Sequence, residues 1–303
     1  MHAHSASSVI SRFVPHGRHA VARRATLPVD TIGHAVPRAA FKGRVHSVFA
    51  RACNIVCGPT WLTLCAHDVG NGPTVLRLAR GHAGDLRLLF DAGERIDGDC
   101  HGLRSARAEV TLHGACVWRP AESMAALPPA GLDSNLRLAV ERLARHRATC
   151  ASVIDREAAP VAVALAHACR VLDGEQVVCH AARLIGWGEG LTPAGDDFLI
   201  GLIGGLDASL CGDARRLRLR ETLAGVLVAG SRRTSPIAAH YLRLAAAGHY
   251  NEALLRLRDA LRCEHDVAAV DAALHSTLAV GATSGADTVS GLLAGLRVWL
   301  PAD

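Results

Sequence analysis

The chain has 303 residues, of which 50% are hydrophobic and only 4% aromatic, so its core must consist mainly of aliphatic side chains. All basic residues except Lys42 are arginine, and the formal net charge of +5 is too small to indicate a nucleic-acid-binding surface. The longest apolar run, residues 198–206, is too short to cross a bilayer. Composition therefore predicts a protein with neither a nucleic-acid partner nor a membrane span.

The first forty residues and the cysteines bear on the compartment. Residues 1–40 are rich in arginine and histidine, contain Asp30 as their single acid, and show no signal-like apolar stretch after Arg23 and Arg24. We predict that this segment is loosely ordered. Ten cysteines are scattered without a CxxC pair, which is unlike a small secreted disulfide scaffold. We therefore expect free thiols and a cytoplasmic protein.

Residues 41–127 have the pattern of a small antiparallel β domain, either a sheet or a barrel. Short β-branched or alternating segments are separated by glycine- and proline-containing turns, which is typical of such folds. The predicted strands are residues 44–49, 60–66, 74–79, 85–90, 107–112 and 115–118.

Beyond the Pro-Pro-Ala-Gly break at residues 128–131, the hydrophobic period changes from that of strands to that of helices. Leu136, Val140 and Leu143 share one helical face, and Tyr250 and Leu254 begin another apolar stripe. Residues 132–303 are therefore predicted to be an all-α domain. The fold class that follows is α+β, with the β domain first.

Two segments of the helical domain resemble each other. Residues 190–206 and residues 281–296 both begin with a Gly-x-Thr loop and continue into an acidic, glycine-spaced helix. Asp197 aligns with Asp287, and in each helix two glycines follow four residues apart. Because each glycine pair leaves one helix face bare, the two helices are predicted to pack closely and to bring both loops to one end.

The chemistry of these loops favours a small anion. Glycines permit close backbone approach, and the free N–H groups at a helix start attract negative charge. Simple capping and helix packing are the competing interpretation. The candidate anion-binding residues here are Gly190, Thr192, Gly195, Thr283, Ser284 and Asp287, and Thr192, Asp196 and Asp197 are the catalytic candidates.

Two further hypotheses concern charge at this site. Asp196 and Asp197 form a carboxylate pair that suits Mg²⁺ beside a phosphate, although no cofactor or metal is required by the pattern. Residues 230–236 place Arg232 and Arg233 before a helix that Ser235 can cap. The two arginines, with Thr234 and Ser235, are candidates to hold a phosphate or carboxylate, and a solvated arginine pair is the alternative.

Residues 188–201 resemble the signature G-x-G-L-T-P-S-G-D-D-x-L-x-G of the AllH (YlbF) family, with Ala194 in place of the usual serine. Residues 43–49 match an early strand motif of that family, and residues 234–235 and 281–287 resemble its later motifs. The resemblance covers about residues 41–300.

The resemblance implies a subunit of oxamate carbamoyltransferase in allantoin and purine catabolism. That enzyme converts oxalurate and phosphate to oxamate and carbamoyl phosphate, and its other subunits are FdrA-like and AllG-like. Backbone N–H groups of residues 192–197 would then bind the anion, and Asp196 and Asp197 would orient the amide or a metal. Two alternatives stay open, a non-catalytic assembly subunit of an FdrA-type complex and a Mg²⁺-dependent phosphate- or nucleotide-binding protein.

Overall fold

The computed structural model describes residues 24–82, 84–120, 132–149, 158–263 and 266–300. These residues form nine strands followed by nine α-helices, which confirms the predicted order of a β domain and a helical domain. The first 23 residues, which belong to the segment predicted to be loosely ordered, lie outside the described part of the chain.

The β domain is a sheet closed on itself. Eight strands follow one another in the order β5-β4-β3-β2-β6-β7-β8-β1, and pairing between β1 and β5 closes the ring, while β9 pairs with β1. Pairing is mostly antiparallel, but β1–β8, β1–β9 and β4–β5 are parallel. The strands are β1 (Ala25–Gly33), β2 (Phe41–Val48), β3 (Ala52–Cys57), β4 (Thr60–Cys65), β5 (Val75–Leu78), β6 (Arg95–Asp99), β7 (Gly102–Arg104), β8 (Ala108–Thr111) and β9 (Cys116–Trp118).

Three features of this domain differ from the sequence prediction. Strand β1 lies within residues 1–40, so the loosely ordered start does not extend to residue 40. Its order comes from long-range pairing with β5, β8 and β9, which no local pattern reveals. Residues 85–90 were predicted to be a strand, but Leu86–Leu88 form a 3₁₀ turn because the Asp85 carboxylate accepts from the Arg87 amide. Strands β3, β6 and β7 were missed.

Within the described residues, the helical domain is built around one central pair of helices, and most of the other helices pack against this pair. No helix in the described ranges is both long and apolar enough to cross a membrane. The helices are α1 (Leu132–Thr149), α2 (Ala159–Val171), α3 (Gly174–Leu184), α4 (Ala194–Ala208), α5 (Ala214–Gly230), α6 (Pro236–Ala246), α7 (Glu252–Arg262), α8 (Val267–Leu278) and α9 (Ser284–Arg297).

The central pair, α4 and α9, runs in parallel with backbone against backbone. A Cβ atom on Gly201 would lie 2.0 Å from the Thr288 carbonyl oxygen, and one on Gly291 would lie 1.9 Å from that of Phe198. Gly205 and Gly295 make the same kind of approach one turn further along. The predicted glycine-to-glycine packing is confirmed, and it places the N-termini of both helices at the same end.

The helical domain contacts the β domain through α6 and the first residue of α7. His240 Nε2 on α6 lies 3.1 Å from the Thr74 hydroxyl, and the Asn71 amide donates to the Glu252 carboxylate (2.8 Å). Burial and the positive charge of Arg243 lower the pKa of His240 to about 4. His240 is therefore a neutral, hydrogen-bonded interface residue at physiological pH.

A half-buried ion pair fixes the far end of α4. Arg220 Nε donates to Asp207 Oδ1 at 2.6 Å, and the Tyr250 hydroxyl donates to Asp207 Oδ2 at 2.5 Å. The same guanidinium donates to the carbonyl oxygens of Ala245 and Ala246, where α6 ends. Asp207 therefore links α4 with α5, α6 and the turn before α7.

We expect Asp207→Ala to lower the free energy of unfolding by about 2 kcal/mol, because it leaves the half-buried Arg220 without its counter-ion and the Tyr250 hydroxyl without this acceptor. Glu141→Ala, which removes an exposed partner of Arg145, should cost less than about 0.5 kcal/mol. Urea unfolding of both variants measures the difference. Equal losses would contradict a special role for Asp207.

Candidate functional site

The two Gly-Thr loops meet at the paired N-termini of α4 and α9. The hydroxyl oxygens of Thr192 and Ser284 lie 2.8 Å apart, within hydrogen-bonding distance. Both residues are half-buried, and the neighbouring Leu191 and Gly281 are exposed, so the junction opens to solvent. The geometry needed for a shared site between the two loops is therefore present.

The loop before α6 joins the same junction. Ser235 caps α6 by accepting from the Ala238 amide at 3.1 Å, as the sequence predicted, and Pro236 is the first residue of that helix. The Ser235 hydroxyl also donates to the Leu191 carbonyl oxygen. Three loops, each preceding a helix, are thus joined by side-chain hydrogen bonds.

Asp196 joins these loops and has no free hydrogen-bonding oxygen. Its Oδ1 accepts from the Gly186 amide at 3.0 Å, and its Oδ2 accepts from the Thr234 hydroxyl. Burial raises the pKa of Asp196, while the bonds from Thr234 and Gly186 lower it. Gly186 has a φ of 74°, and a Cβ there would lie 2.6 Å from the Arg233 carbonyl oxygen, so only glycine fits.

Asp197 is different, because its carboxylate is not saturated. The residue is 6% exposed, and its buried Oδ2 has no hydrogen-bond partner among the described residues. Burial raises the pKa of Asp197 well above its usual range, and the charges of Asp287 and Asp196 raise it further. Side-chain hydrogen bonds from Ser284 and Thr192 lower it.

Asp287 occupies the equivalent position on α9. It is fully buried, and the Arg147 guanidinium of α1 lies 4.0 Å from its Oδ1. Arg147 also donates to the Ser290 hydroxyl, one turn further along α9. The two carboxyl groups thus have different surroundings, since Asp287 lies beside Arg147, whereas no arginine or lysine in the described part of the chain forms an ion pair with Asp197.

Some backbone amides at the junction already donate to a carbonyl oxygen, and others have no acceptor. The Gly195 amide donates to the Trp187 carbonyl oxygen, and the amides of Asp196 and Asp197 donate to that of Pro193. Within the described ranges, the amides of Thr192, Ala194 and Ser284 have no hydrogen-bond acceptor. Of the amides of residues 192–197 that the sequence predicted to bind an anion, those of Thr192 and Ala194 lack an acceptor among the described residues. The second loop adds the amide of Ser284.

The remaining predicted residues have clear positions in the structure. Gly195 packs against the Leu184 carbonyl oxygen, where a Cβ would lie at 2.0 Å, so it serves helix packing. Gly190 has a φ of 91° and open space around it. Arg232 and Arg233 are exposed in a 3₁₀ turn beside Thr234. Thr283 precedes α9 without capping it through its side chain.

The sequence analysis missed Tyr241, which lies next to two hydrogen-bonded side chains of the β domain, Thr63 and Asn54. The Tyr241 hydroxyl lies 3.4 Å from that of Thr63, which donates to Asn54 Oδ1 at 2.9 Å. Burial raises the pKa of Tyr241, and the charge of Asp197 raises it further. Tyr241 therefore lies between Asp197 and the β domain, and only the packing of α6 on β4 brings them together.

The Mg²⁺ hypothesis has little support from the arrangement of side chains. Asp196 and Asp197 are adjacent, but Asp196 binds Gly186 and Thr234, whereas Asp197 lies beside Ser284. Among the described residues, no group of three or more His, Cys, Asp or Glu side chains has the geometry to hold a metal ion.

Two family matches accompany this geometry. Residues 184–296, which contain the three loops, match the family described as oxamate carbamoyltransferase subunit AllH. Residues 25–117 match the AllH family N-terminal domain. The chain belongs to the AllH family. The match begins at β1, so the similarity to the family starts before residue 41, where the sequence motifs had placed it. Membership of this family implies that the chain works as one subunit of a multi-subunit carbamoyltransferase. No solved structure matches the chain.

Proposed function

We propose that this chain binds the small anionic substrate of an oxamate carbamoyltransferase at the junction of α4 and α9. The reaction would convert oxalurate and phosphate to oxamate and carbamoyl phosphate in allantoin and purine catabolism. FdrA-like and AllG-like subunits would be its partners. The nine described cysteines are free thiols, which favours a cytoplasmic location for the complex.

One observation supports this proposal above the others. The Thr192 and Ser284 hydroxyls lie 2.8 Å apart at two parallel helix N-termini, next to amides that lack an acceptor. Helix dipoles and free N–H groups stabilise a bound carboxylate or phosphate and the charge that develops on oxygen during acyl transfer. Arg232 and Arg233 lie on the adjacent exposed turn, where they can meet a phosphate group.

Ala194→Pro tests this anion site. Proline at the first position of a helix removes the N–H, and Pro193 already has the extended conformation that precedes proline favourably. Because Ala194 is buried, circular dichroism of the variant must match that of the parent protein before its rate is compared. The complex reconstituted from purified subunits should form carbamoyl phosphate from oxalurate about 100-fold more slowly with this variant.

Ala214→Pro is the control for the loss of a first-turn N–H, because Ala214 is the first residue of α5 after the capping Asp213 and lies on the surface, away from the junction. It should leave the rate unchanged. A full rate with Ala194→Pro in an assembled complex would overturn the proposed anion site.

A second candidate is a non-catalytic assembly subunit. It is favoured by large apolar side chains that remain exposed on the outer helices, namely Val163 (69% exposed), Val228 (50%) and Leu217 (45%). Substituting these residues by serine should weaken co-purification with an FdrA-like subunit. If assembly and rate both survive, these side chains do not form the subunit interface.

A further inference from the structure

One glycine in the middle of a helix has no close neighbour in the described part of the chain. Glycine weakens a helix relative to alanine, so its presence there usually means that no room is left for a Cβ atom. The glycines inside α4 and α9 fit this rule, because a Cβ on any of them would lie 3.4 Å or less from another part of the chain. Gly225 of α5 is exposed, with open space around it. Packing among the described residues therefore does not explain Gly225.

The outward side of α5 repeats the spacing that joins α4 to α9. Gly225 and Ala229 are both exposed and are four residues apart, as are Gly201 and Gly205, which pack against α9. Small residues at this spacing allow the backbone of a second helix to come close. The outward side of α5 thus has the spacing of a helix–helix contact.

The apolar residues of α5 lead to the same conclusion. Residues 222–230 are apolar on every side of the helix except at Thr222, and a helix of that kind is normally buried all round. Here Val228 is 50% exposed and Leu217, two turns before Gly225, is 45% exposed. The composition of α5 therefore fits a helix that is covered on its outer side in the working complex.

Helix α3 extends this surface. A Cβ on Gly174 would lie 3.9 Å from the Thr222 side chain, and one on Gly230 would meet the Ile185 side chain, so α3 and α5 run side by side in the same direction. Two exposed residues of α3 consequently lie level with Gly225. The α3–α5 face, as we call this surface, consists of Val178, Cys179, Leu217, Gly225, Val228 and Ala229.

Arginine predominates at the border of the α3–α5 face. In α3, α5 and the loops that follow them, five exposed arginines accompany three exposed glutamates, while Asp213 caps α5 and pairs with Arg216. They are Arg183, Arg215, Arg218, Arg232 and Arg233, with Glu175, Glu189 and Glu221. The positive excess favours a partner with an acidic border, and an apolar centre within a polar border is typical of protein interfaces.

We propose that the α3–α5 face binds an α-helix of another subunit of the carbamoyltransferase, one with small or aliphatic residues at its centre and acidic residues at its border. Family membership implies that such subunits exist. The loops after α3 and α5 lead to Trp187 and Thr234 beside the junction, so the docked subunit borders the proposed anion site. The inference rests on the proposed function for the identity of the complex, but an assembly subunit would use the same face.

Native thiols of the protein provide the first test. Cys179 is exposed at the centre of the α3–α5 face, and Cys100 is exposed in the β domain between β6 and β7. Alkylation followed by peptide mass spectrometry should label Cys179 about 10-fold more slowly in the complex reconstituted from purified subunits than in the chain alone. Cys100 should react at the same rate in both. Equal labelling of Cys179 in the two states, or failure of the chain to assemble, would overturn the proposal.

Gly225→Leu separates docking from folding. Leucine is the better helix former and would project into open space, so the free chain should unfold at a higher denaturant concentration. The same side chain would hold the partner helix away, so affinity for the other subunits should fall about 30-fold. Ala272→Leu adds a leucine at an exposed position of α8 and should leave that affinity unchanged.

The outcomes distinguish this proposal from the anion site. Full affinity of Gly225→Leu for the other subunits would overturn docking at the α3–α5 face and leave the anion site standing. If Gly225→Leu changed only self-association of the chain, the face would bind a second copy, and the proposal would be wrong. A full rate with Ala194→Pro would remove the anion site alone, because labelling of Cys179 measures contact and not turnover.

Discussion

Gly291→Ala is expected to lower the free energy of unfolding by about 3 kcal/mol or more, although alanine is the better helix former. Its Cβ would lie 1.9 Å from the Phe198 carbonyl oxygen and 2.7 Å from the Leu202 amide nitrogen. Both contacts are with backbone, so no side-chain rotation relieves them, and α4 and α9 must move apart. Separation of the helices would also break the contact between Thr192 and Ser284 at the site.

Gly225→Ala is the matched control for this prediction. Gly225 is exposed in the middle of α5, and no neighbouring atom lies within 4 Å of the place that a methyl group would take. The substitution should stabilise the protein by about 0.5–1 kcal/mol through helix propensity. Chemical denaturation followed by circular dichroism measures both variants. Gly291→Ala as stable as the parent protein would show that the two helices do not depend on backbone contact.

Asp197→Asn is expected to stabilise the protein at neutral and alkaline pH, by an amount that grows as the pH rises. Because burial raises the pKa of Asp197 in the folded state, the folded chain keeps a proton that the unfolded chain loses above about pH 4. This contribution to stability is fully present below the unfolded pKa and is lost as the pH rises through the folded pKa. Between the two values stability falls by about 1.4 kcal/mol per pH unit.

Asparagine has the same shape and no charge, so the variant lacks this dependence. Thermal unfolding at several pH values should show a gap in Tm between variant and parent that is small near pH 4 and large near pH 8. Asp196 titrates with the same sign in both proteins, so the gap reports Asp197 together with its coupling to Asp196. A gap independent of pH would mean that Asp197 is already ionised in the fold.

The features predicted correctly from sequence are those that short-range patterns specify. Glycines four residues apart leave a bare stripe on a helix, and Gly201 and Gly291 form that contact. Serine before proline starts a helix, and Ser235 caps α6. These patterns hold because helix geometry repeats every few residues, so residues close in sequence share one face.

The errors lie where partners are distant in the chain. Residues 85–90 alternate like a strand, but no neighbouring strand pairs with them, and Asp85 instead closes a local turn. Strand β1 contains Pro28 and has a weak local pattern, yet its neighbours β5, β8 and β9 hold it in the sheet. Closure of the sheet depends on such pairings, which composition and periodicity do not reveal.

In the candidate site, too, local patterns were predicted correctly and features that depend on distant partners were not. The sequence correctly selected the loops that meet, including Thr192 and Ser284, because their glycines, hydroxyls and acids are an unusual combination. It did not distinguish Asp196 from Asp197, which are adjacent in the chain. The structure does distinguish them, because both oxygens of Asp196 accept hydrogen bonds, from Gly186 and Thr234, whereas Oδ2 of Asp197 has no partner among the described residues.

By itself, the sequence determined the order of a β domain and a helical domain, the glycine-spaced pair of helices and the family motif. Each of these depends on residues within a few positions of one another, where backbone geometry makes the pattern readable. Only the tertiary structure decided how the sheet closes, which amides remain free, and that Tyr241 and Arg147 lie near the two buried carboxyl groups. Burial and charge are properties of three-dimensional surroundings, and they give identical residue types such as Asp196 and Asp197 different chemistry.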